Sequence, residues 1–345
     1  MAINFTGSTR NQEELEKIQE ELYQDSKTLR EAVITIDEGH KSGTDVYESK
    51  VTVTQSALNL GEVTATGNIG LGFNSTPVTL TSFNYEDIIS DNSLKGTRFE
   101  KSMKKGAYEV VSDEFDKKVL IQITPAIGAD LEAKFWNGAT TATKAAIAAL
   151  TPGAGQGSIT AAAQTAVAAM PTTLYDSFIT RILYNNSQSK TVPGNGLGNY
   201  IKVTGTTISA ANIAAQYALL YAGADSKVTD NPNAQFFVPL GHRQFIKAAN
   251  NAVGAAQQVN FLVEGSGENE TISYNGHKIN FHPVGATFMV FTLPEYLIVL
   301  TDSKSDVNSL QIGQVANGAM QRYIKNVQSM ATWVTNQRYI TLYGG

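Results

Sequence analysis

The residue types that most often carry out chemistry are sparse in this sequence. The chain has four histidines and no cysteine, which excludes disulfides, thiolate metal sites and a cysteine nucleophile. His277 and His282 are the one close histidine pair, and they fall in a segment with the composition of a strand. Residues five apart in a strand point to opposite faces of a sheet, so the two imidazoles cannot chelate one ion. We interpret both as surface or core-edge residues and predict no metal site.

A glycine-rich segment, PGNGLGNY, is the nearest approach to a nucleotide-binding motif, with Gly194, Gly196 and Gly198. A dinucleotide site needs its glycines between a strand and the start of a helix. Here they follow a polar segment and lead to an Ile-Lys-Val segment, which favours a loop. The acidic clusters at residues 13–21 and 113–116 fall in solvated helical turns and not in an apolar setting that would suit acid–base catalysis. The sequence therefore predicts neither catalytic residues nor a cofactor.

Composition indicates a chain that folds but carries few charges. Hydrophobic residues make up 42% of the 345 residues and charged residues 17%, which leaves a thinly charged surface that suits a subunit surrounded by neighbours. The length favours two packed regions with extended segments. The net charge of −5 argues against tight nucleic-acid binding. Because no secretory signal and no membrane-spanning window is visible, we expect a chain that is made and kept in a cytoplasm, with no membrane partner.

The first element that can position a binding surface is an amphipathic helix predicted over residues 11–33. Its apolar residues recur at spacings of three, four and seven, which places them on one stripe of an otherwise charged helix. They are Leu15, Ile18, Leu22, Leu29 and Ala32. Glycines on both sides separate this helix from any obvious core. We expect it to dock on another surface, and a helix that lies on its own domain is the alternative.

Residues 47–81 have the composition of long strands with two polar faces, because Thr, Val and Gly dominate and Val51 and Val53 follow a period of two. Glycines near the middle predict a hairpin tip or a wide bend. Two arms of about 14 residues would project roughly 45 Å, beyond the chain's own core. Such a hairpin is marginal alone and needs a partner surface; a hairpin lying flat on the subunit's own sheet is the alternative. The predicted contact residues of this hairpin are Val51, Val53, Gly67, Gly70, Gly72 and Phe73.

A long helix is predicted next, from a cap at Ser112 to an end at Asn137 and Gly138. Its predicted apolar stripe is Val119, Ile123, Ile127, Leu131 and Phe135. Pro125 either kinks this helix or begins a second one. An Ala-, Thr- and Gly-rich stretch at residues 139–169 has weak helical segments and reads as peripheral. The remaining chain alternates helices with strands, which is typical of an α+β fold. The predicted strands are 234–240, 271–274, 277–281, 287–293 and 296–301, with returning strands within 321–343.

The order of these elements resembles that of tailed-bacteriophage major capsid proteins with the Hong Kong 97-like fold. The segment TPVTLTSFNYEDIISDNSL (76–94) is similar to the strand that descends from their extended loop, and SDEFDKKVLIQITPAIGADLEAKFWNG (112–138) to their spine helix. NPNAQFFVPLGHRQFIKAAN (231–250) and ISYNGHKINFHPV (272–284) resemble the strands and helix of their axial domain. TFMVFTLPEYLIVLTD and NQRYITLYGG resemble their closing strands.

The resemblance implies a division of the chain into five parts. They are an N-terminal arm (1–44), an extended β-hairpin loop (45–93), a peripheral domain with the spine helix (94–171), an axial domain (172–320) and return strands of the peripheral domain (321–345). It also implies a structural, non-enzymatic capsid protein of the virion, assembled in the host bacterial cytoplasm through pentamers and hexamers into an icosahedral shell. The arm and the loop would supply the contacts between subunits, through the residues given above for the helix and the hairpin.

The partners implied by the resemblance are further copies of the chain, a separate scaffolding protein, a portal and a decoration protein. Packaged double-stranded DNA would be contacted weakly and without sequence specificity. Two other assemblies stay open. An encapsulin-like nanocompartment shell would share the fold and enclose an enzyme, whereas a phage tail-tube protein would need a compact sheet throughout and leaves the long helix unexplained. An enzyme would need a pocket with perturbed ionisable groups, for which the sequence offers no candidate.

Overall fold

The computed structural model of the chain describes residues 26–30, 34–39, 45–53, 69–77, 80–90, 113–156, 158–184, 200–253, 261–265, 270–302, 310–314 and 321–344. The helices within them are α1 (Lys27–Arg30), α2 (Asp113–Trp136), α3 (Thr141–Ala148), α4 (Ala161–Ala169), α5 (Phe178–Leu183), α6 (Ile213–Gly223), α7 (Ser226–Thr229) and α8 (His242–Val253). The strands are β1 (Thr35–Glu38), β2 (Asp45–Val53), β3 (Ile69–Pro77), β4 (Thr81–Ser90), β5 (Ile201–Val203), β6 (Gln235–Pro239), β7 (Phe261–Glu264), β8 (Thr271–Tyr274), β9 (His277–His282), β10 (Met289–Thr292), β11 (Leu297–Thr301), β12 (Leu310–Gln314), β13 (Gln321–Val334) and β14 (Thr341–Tyr343).

A five-stranded sheet is organised around β13. One side of this strand pairs antiparallel with β4 over ten residues. Its other side pairs with β12 in the first part and with β11 in the last part, both antiparallel. The short strand β1 extends the sheet by pairing in parallel with β11. Because β13 pairs with other strands on both of its sides, segments that are far apart in the sequence belong to the same sheet.

A seven-stranded mixed sheet has the order β5-β14-β10-β6-β9-β8-β7. The β8–β9 hairpin turns at Asn275 and Gly276, whose φ angles are 49° and 84°. Positive φ at both central residues is the requirement of a two-residue hairpin turn, and Asn-Gly satisfies it at little cost. The predicted strand–turn–strand at this place is confirmed.

The core is divided by the seven-stranded sheet. Phe236 and Phe237 are neighbours in β6 and are fully buried on its opposite faces. Phe236 packs with Tyr217 of α6 in one cluster, whereas Phe237 stacks on Trp136 of α2 in another. The second cluster also takes in side chains of β11 and β13, so the two sheets share one core through α2 and α5.

The long helix is confirmed as a single element. It runs from Asp113 to Trp136 with Pro125 inside it, so the second helix that this proline allowed is not formed. Leu131 and Phe135 of the predicted apolar stripe are completely buried. The prediction that residues 139–169 are peripheral is wrong. Here α3 and α4 each bury one stripe of residues four apart, and their side chains belong to the shared core.

The two sheets do not follow the predicted division of the chain into domains, which stays a prediction. Strands β11 and β12 lie in the five-stranded sheet with β13, although the predicted axial domain contained both. Strand β14 lies in the seven-stranded sheet, although it fell among the predicted return strands of the peripheral domain. The predicted arm also changes, since β1 is paired within the subunit. Strand partners are set by contacts between distant segments, and these have no local sequence signal.

Candidate assembly surfaces

The strands β2 and β3 form a two-stranded ribbon that shares no strand with the two larger sheets of the described residues. They pair antiparallel without a break from Asp45 opposite Pro77 to Val53 opposite Ile69. Nine residues per strand, at about 3.3 Å each, give a paired length of roughly 30 Å. A hairpin is therefore present where the sequence predicted one, with nine described residues in each paired arm.

The register of the ribbon gives it two different faces. Directly opposite residues, and every second residue along a strand, share a face. One face contains the larger apolar residues Val51, Val53, Ile69, Leu71 and Phe73. Of the predicted glycines, Gly70 and Gly72 belong to the other face, opposite Thr52 and Lys50. The predicted contact residues of the hairpin thus fall on both faces, and Gly67 lies outside the described residues.

The predicted contacts of the N-terminal helix are covered only in part. Leu15, Ile18 and Leu22 lie outside the described residues. Leu29 lies in α1, a single helical turn within the predicted helix. The described residues beside it, Ser26 and Thr28, are completely buried against their own subunit. Ser26 and Thr28 therefore contact their own subunit and offer no surface to another molecule.

Ser26 and Thr28 are held by a buried carboxylate in the last two turns of α2. The Ser26 hydroxyl donates to Glu132 Oε2 at 2.7 Å, and the Thr28 backbone N–H donates to the same oxygen at 2.9 Å. The Thr28 hydroxyl donates to Glu132 Oε1 at 2.6 Å. Glu132 itself is 8% exposed. A carboxylate accepts several hydrogen bonds at once, so this one side chain satisfies three donors of the N-terminal segment.

His282 of β9 completes the cluster from the seven-stranded sheet. Its Nδ1 lies 2.7 Å from Glu132 Oε1, and since an ionised carboxylate only accepts, Nδ1 carries the proton. The ring is fully buried and stacks on Trp136, with 4.6 Å between the ring centroids. The Trp136 indole N–H donates to the Thr28 hydroxyl at 2.8 Å. Glu132, His282 and Trp136 thus form one network around Thr28, which we call the Glu132 cluster.

The two histidines singled out in the sequence are both buried, so their interpretation as surface or core-edge residues is wrong. His277 has Nδ1 at 3.1 Å from the Ala234 carbonyl oxygen and Nε2 at 3.2 Å from that of Thr229. It lies at the start of β9 and His282 at the end, where each ring serves a separate set of partners. Among the described residues, no group of three or more His, Asp or Glu side chains is arranged to hold a metal ion.

The electrostatics of the Glu132 cluster favour the ionised carboxylate. Burial by itself raises the pKa of Glu132. The hydrogen bond from His282, the charge of His282 and the hydrogen bonds from Thr28 act in the opposite direction and outweigh burial, so the pKa falls from 4.5 to about 2. Glu132 is therefore ionised at neutral pH, and its negative charge has a structural role in the cluster.

The sequence gives little signal for this cluster. Glu132 follows Leu131 directly and precedes Phe135 and Trp136, so it borders the buried stripe of α2. That position marks it as an acidic residue close to the core. Its partners lie more than a hundred residues away in the sequence in both directions, and no motif connects them.

None of the described helices is long and apolar enough to cross a membrane.

No protein-family model matches the chain, and no curated protein matches its sequence. Solved structures do match. The capsid of a native GTA particle aligns with 99% of this chain and 93% of its own, at a TM-score of 0.53 and 13% identity. The structure of Gordonia phage Cozz covers 91% of this chain and 84% of its own, at a TM-score of 0.50 and 10% identity. The SrpI encapsulin complex of Synechococcus elongatus covers 91% and 85%, at a TM-score of 0.46 and 8% identity.

These identities establish the fold and nothing beyond it. Together with the element order and the two mixed sheets described above, the first two likenesses give the chain the Hong Kong 97-like α+β fold. This confirms the predicted fold class.

Proposed function

We propose that this chain is the major capsid protein of a tailed bacteriophage, which assembles into an icosahedral shell around double-stranded DNA. The observation that carries the proposal is the Hong Kong 97-like fold over nearly the whole chain. The β2–β3 ribbon supports it independently, because it lies outside both larger sheets of the described residues. The protein would act through assembly and would have no catalytic site.

The ribbon is the first proposed contact between subunits. An isolated two-stranded ribbon is marginal in water and needs a surface to pack on. By register, most of its apolar residues share one face, as Val51 opposite Leu71 and Val53 opposite Ile69 illustrate, and Val46 belongs to the other. The first face is therefore the one to be covered. We assign it to a second copy of this chain. Contacts of this kind join different surfaces of two copies and close into rings, which here would be pentamers and hexamers.

We propose a revised division of the chain on the same basis. The five-stranded sheet with α2 would be the peripheral domain, and the seven-stranded sheet with α6 and α8 the axial domain. The ribbon would be the extended loop. The arm that reaches a neighbour would be confined to residues 1–25, because Ser26 and Thr28 are anchored in their own subunit.

The other partners belong to the same proposal. A separate scaffolding protein, a portal and a decoration protein would act with the shell in the host cytoplasm and in the virion. The net charge of −5 supports a wall that contacts packaged DNA weakly and without sequence specificity, since a firm grip on phosphates requires clustered cations.

Negative-stain electron microscopy of the purified full chain, with sedimentation velocity beside it, tests this proposal. Large closed icosahedral particles are the expected result. Small uniform shells would instead favour an encapsulin-like nanocompartment, and tubes would favour a tail-tube protein. A discrete small oligomer at high protein concentration, with no particles, would overturn the shell function altogether.

A further inference from the structure

We infer that residues 26–30 and 34–39, which we call the strap, tie the two sheets of the subunit together, and that Glu132 is the anchor that holds the strap in place. Loss of the Glu132 side chain would release the first attachment of the strap and leave it held by the pairing of β1 with β11. This inference concerns the single subunit, so it does not rest on the proposed shell function.

The first attachment of the strap is to the side of the seven-stranded sheet. Ser26 and Thr28 donate to Glu132, which His282 of β9 contacts from the sheet. The ammonium group of Lys27 donates to the backbone carbonyl of Phe281, also in β9, at 3.2 Å. Ser26, Lys27 and Thr28 are therefore all bound near the C-terminal end of α2 or the end of β9.

The second attachment is to the five-stranded sheet. Strand β1 pairs in parallel with β11, from Thr35 opposite Ile298 to Glu38 opposite Thr301. The Gly39 N–H donates to the Asp302 carbonyl at 3.1 Å. The strap thus contacts one strand of each sheet within fourteen residues of chain, from Ser26 to Gly39.

Polar contacts hold the first attachment of the strap, and apolar burial is seen in the second. Among the strap residues whose side chains are described, Ile34 is the one buried apolar residue, with Ile36 packed beside it. Ser26 and Thr28 are both at 0% exposure and are polar. Buried hydroxyl and amide donors are costly when they lose their acceptor. Since Glu132 is the acceptor for three of them, its removal takes away all three of these hydrogen bonds at once.

The strap also fixes the position of Ser26, to which the preceding residue is covalently joined. Ser26 lies beside the C-terminal end of α2 and the end of β9. Release of the strap would free this point and uncouple the two sheets on that side. The subunit core would stay intact, because α2 and α5 pack against both sheets independently of the strap.

Hydrogen exchange with mass spectrometry, together with limited trypsin digestion, tests the strap in the full chain. In Glu132→Ala we expect exchange of residues 26–38 to rise by at least about tenfold, with new cleavage after Lys27 and Arg30. Exchange in β6 and β10 should stay at the wild-type level. The matched control is Asp130→Asn, which removes a carboxylate from the same helix. This carboxylate binds Tyr85 and Lys134 and does not contact the strap.

A variant on the strap side keeps the test decisive if Glu132→Ala folds poorly. Ser26→Ala with Thr28→Val removes two side-chain donors and leaves Glu132 in place, and it should release the strap in the same way. Combining both sets of substitutions should add little further exchange, because they act on one network. Unchanged protection of residues 26–38 in the strap-side variant, or a uniform rise of exchange across the protein, would overturn the inference. Because the readout is taken on the subunit, it is independent of whether particles form.

Discussion

Trp136 and His282 stack nearly parallel, at 21° between their ring planes, although one lies in α2 and the other in β9. The same indole also stacks on Phe237, with 5.2 Å between the ring centroids. Trp136 therefore joins the long helix to two neighbouring strands of the seven-stranded sheet and, through its N–H, to Thr28 of the strap. A side chain with these contacts contributes both apolar burial and a hydrogen bond to folding.

Substitution of Trp136 should separate these two contributions. We expect Trp136→Ala to lower the free energy of unfolding by about 3–5 kcal/mol, because it leaves a large cavity in the shared core. Trp136→Phe keeps a ring but loses the donor to Thr28. The lost hydrogen bond should lower the free energy of unfolding by about 1 kcal/mol, in addition to the effect of the smaller buried area. Urea unfolding followed by far-ultraviolet circular dichroism measures both. Leu174→Ala, at a side chain that is 63% exposed, is the control and should change stability by less than about 0.5 kcal/mol.

The Glu132 cluster predicts a loss of stability in acid. The pKa of Glu132 is about 2 in the folded protein against 4.5 ordinarily, so the contribution is present above pH 4.5 and is lost as the pH falls from there toward 2. Its upper limit is about 3 kcal/mol. Unfolding midpoints in urea between pH 6 and pH 3 should fall steeply for the wild type and less steeply for Glu132→Gln, which cannot ionise. Equal slopes for the two proteins would contradict the prediction.

The elements of this fold that could be predicted from the sequence are those with a local signal. The periodic stripe of α2 and the Asn275-Gly276 turn each define their element within a few residues. The peripheral position predicted for residues 139–169 is wrong, because small side chains such as Ala163 carry no strong periodic signal and yet are fully buried. Small residues let helices approach closely, so their burial depends on the partner and not on the segment itself.

The Glu132 cluster and the membership of the sheets could not be predicted, for a different reason. The pairing of β13 with β4, or of Thr28 with Glu132, is decided by which distant surfaces meet in the folded chain. Composition and periodicity describe one segment at a time and leave such choices open. The burial of His282 could not be predicted for the same reason. The sequence of a strand does not show whether a carboxylate lies across from its histidine.

Two N-terminal truncations should behave differently. Deletion of residues 1–25 leaves the strap in place, so we expect unchanged thermal unfolding and a reduced yield of particles. Deletion of residues 1–44 also removes β1 and the partners of Glu132, and leaves a buried carboxylate with fewer donors. That protein should be destabilised as well as poor in assembly. Differential scanning calorimetry and negative-stain microscopy distinguish the two effects, and equal melting temperatures for both truncations would contradict the role of the strap.

Lys202 of β5 offers a prediction on the alkaline side. Its ammonium group donates to the carbonyls of Gly153 and Ser158, at 3.1 and 2.8 Å, and burial lowers its pKa below the ordinary 10.5. Burial penalises the charged form, so the penalty is relieved and stability rises as the pH is raised toward 10.5. Lys202→Met should abolish this rise and, by leaving two carbonyls without a donor, cost about 1–3 kcal/mol at neutral pH.

Thermal unfolding at pH 7 and pH 10, compared between wild type and Lys202→Met, measures both effects. Lys227→Met is the matched control, because Lys227 is exposed and its ammonium group donates to the Tyr339 hydroxyl at an exposed position. That change should move stability by less than about 0.5 kcal/mol. A control variant that lost as much stability as Lys202→Met would show that the loop contacts of Lys202 contribute nothing specific.

The β2–β3 ribbon allows assembly to be separated from folding. Val53 lies directly opposite Ile69, so residues 54–68 can be replaced by Asn-Gly, which closes a two-residue hairpin at that pair. Because the ribbon shares no strand with the larger sheets of the described residues, we expect the shortened protein to unfold at the wild-type temperature. The yield of particles should nevertheless fall, since residues 54–68 belong to the loop that we propose contacts a neighbour.

Two point substitutions then test the face of the ribbon. Leu71 belongs to the apolar face and Thr52 to the opposite one. A charge introduced by Leu71→Asp must be desolvated if that face packs on a neighbour, which penalises association, so we expect particle yield by sedimentation to fall by at least about tenfold. Thr52→Asp adds the same charge one position along the ribbon and should leave the yield close to wild type. Equal losses in both variants would mean that the ribbon is covered on both faces, and no loss in either would remove the ribbon from the subunit contact.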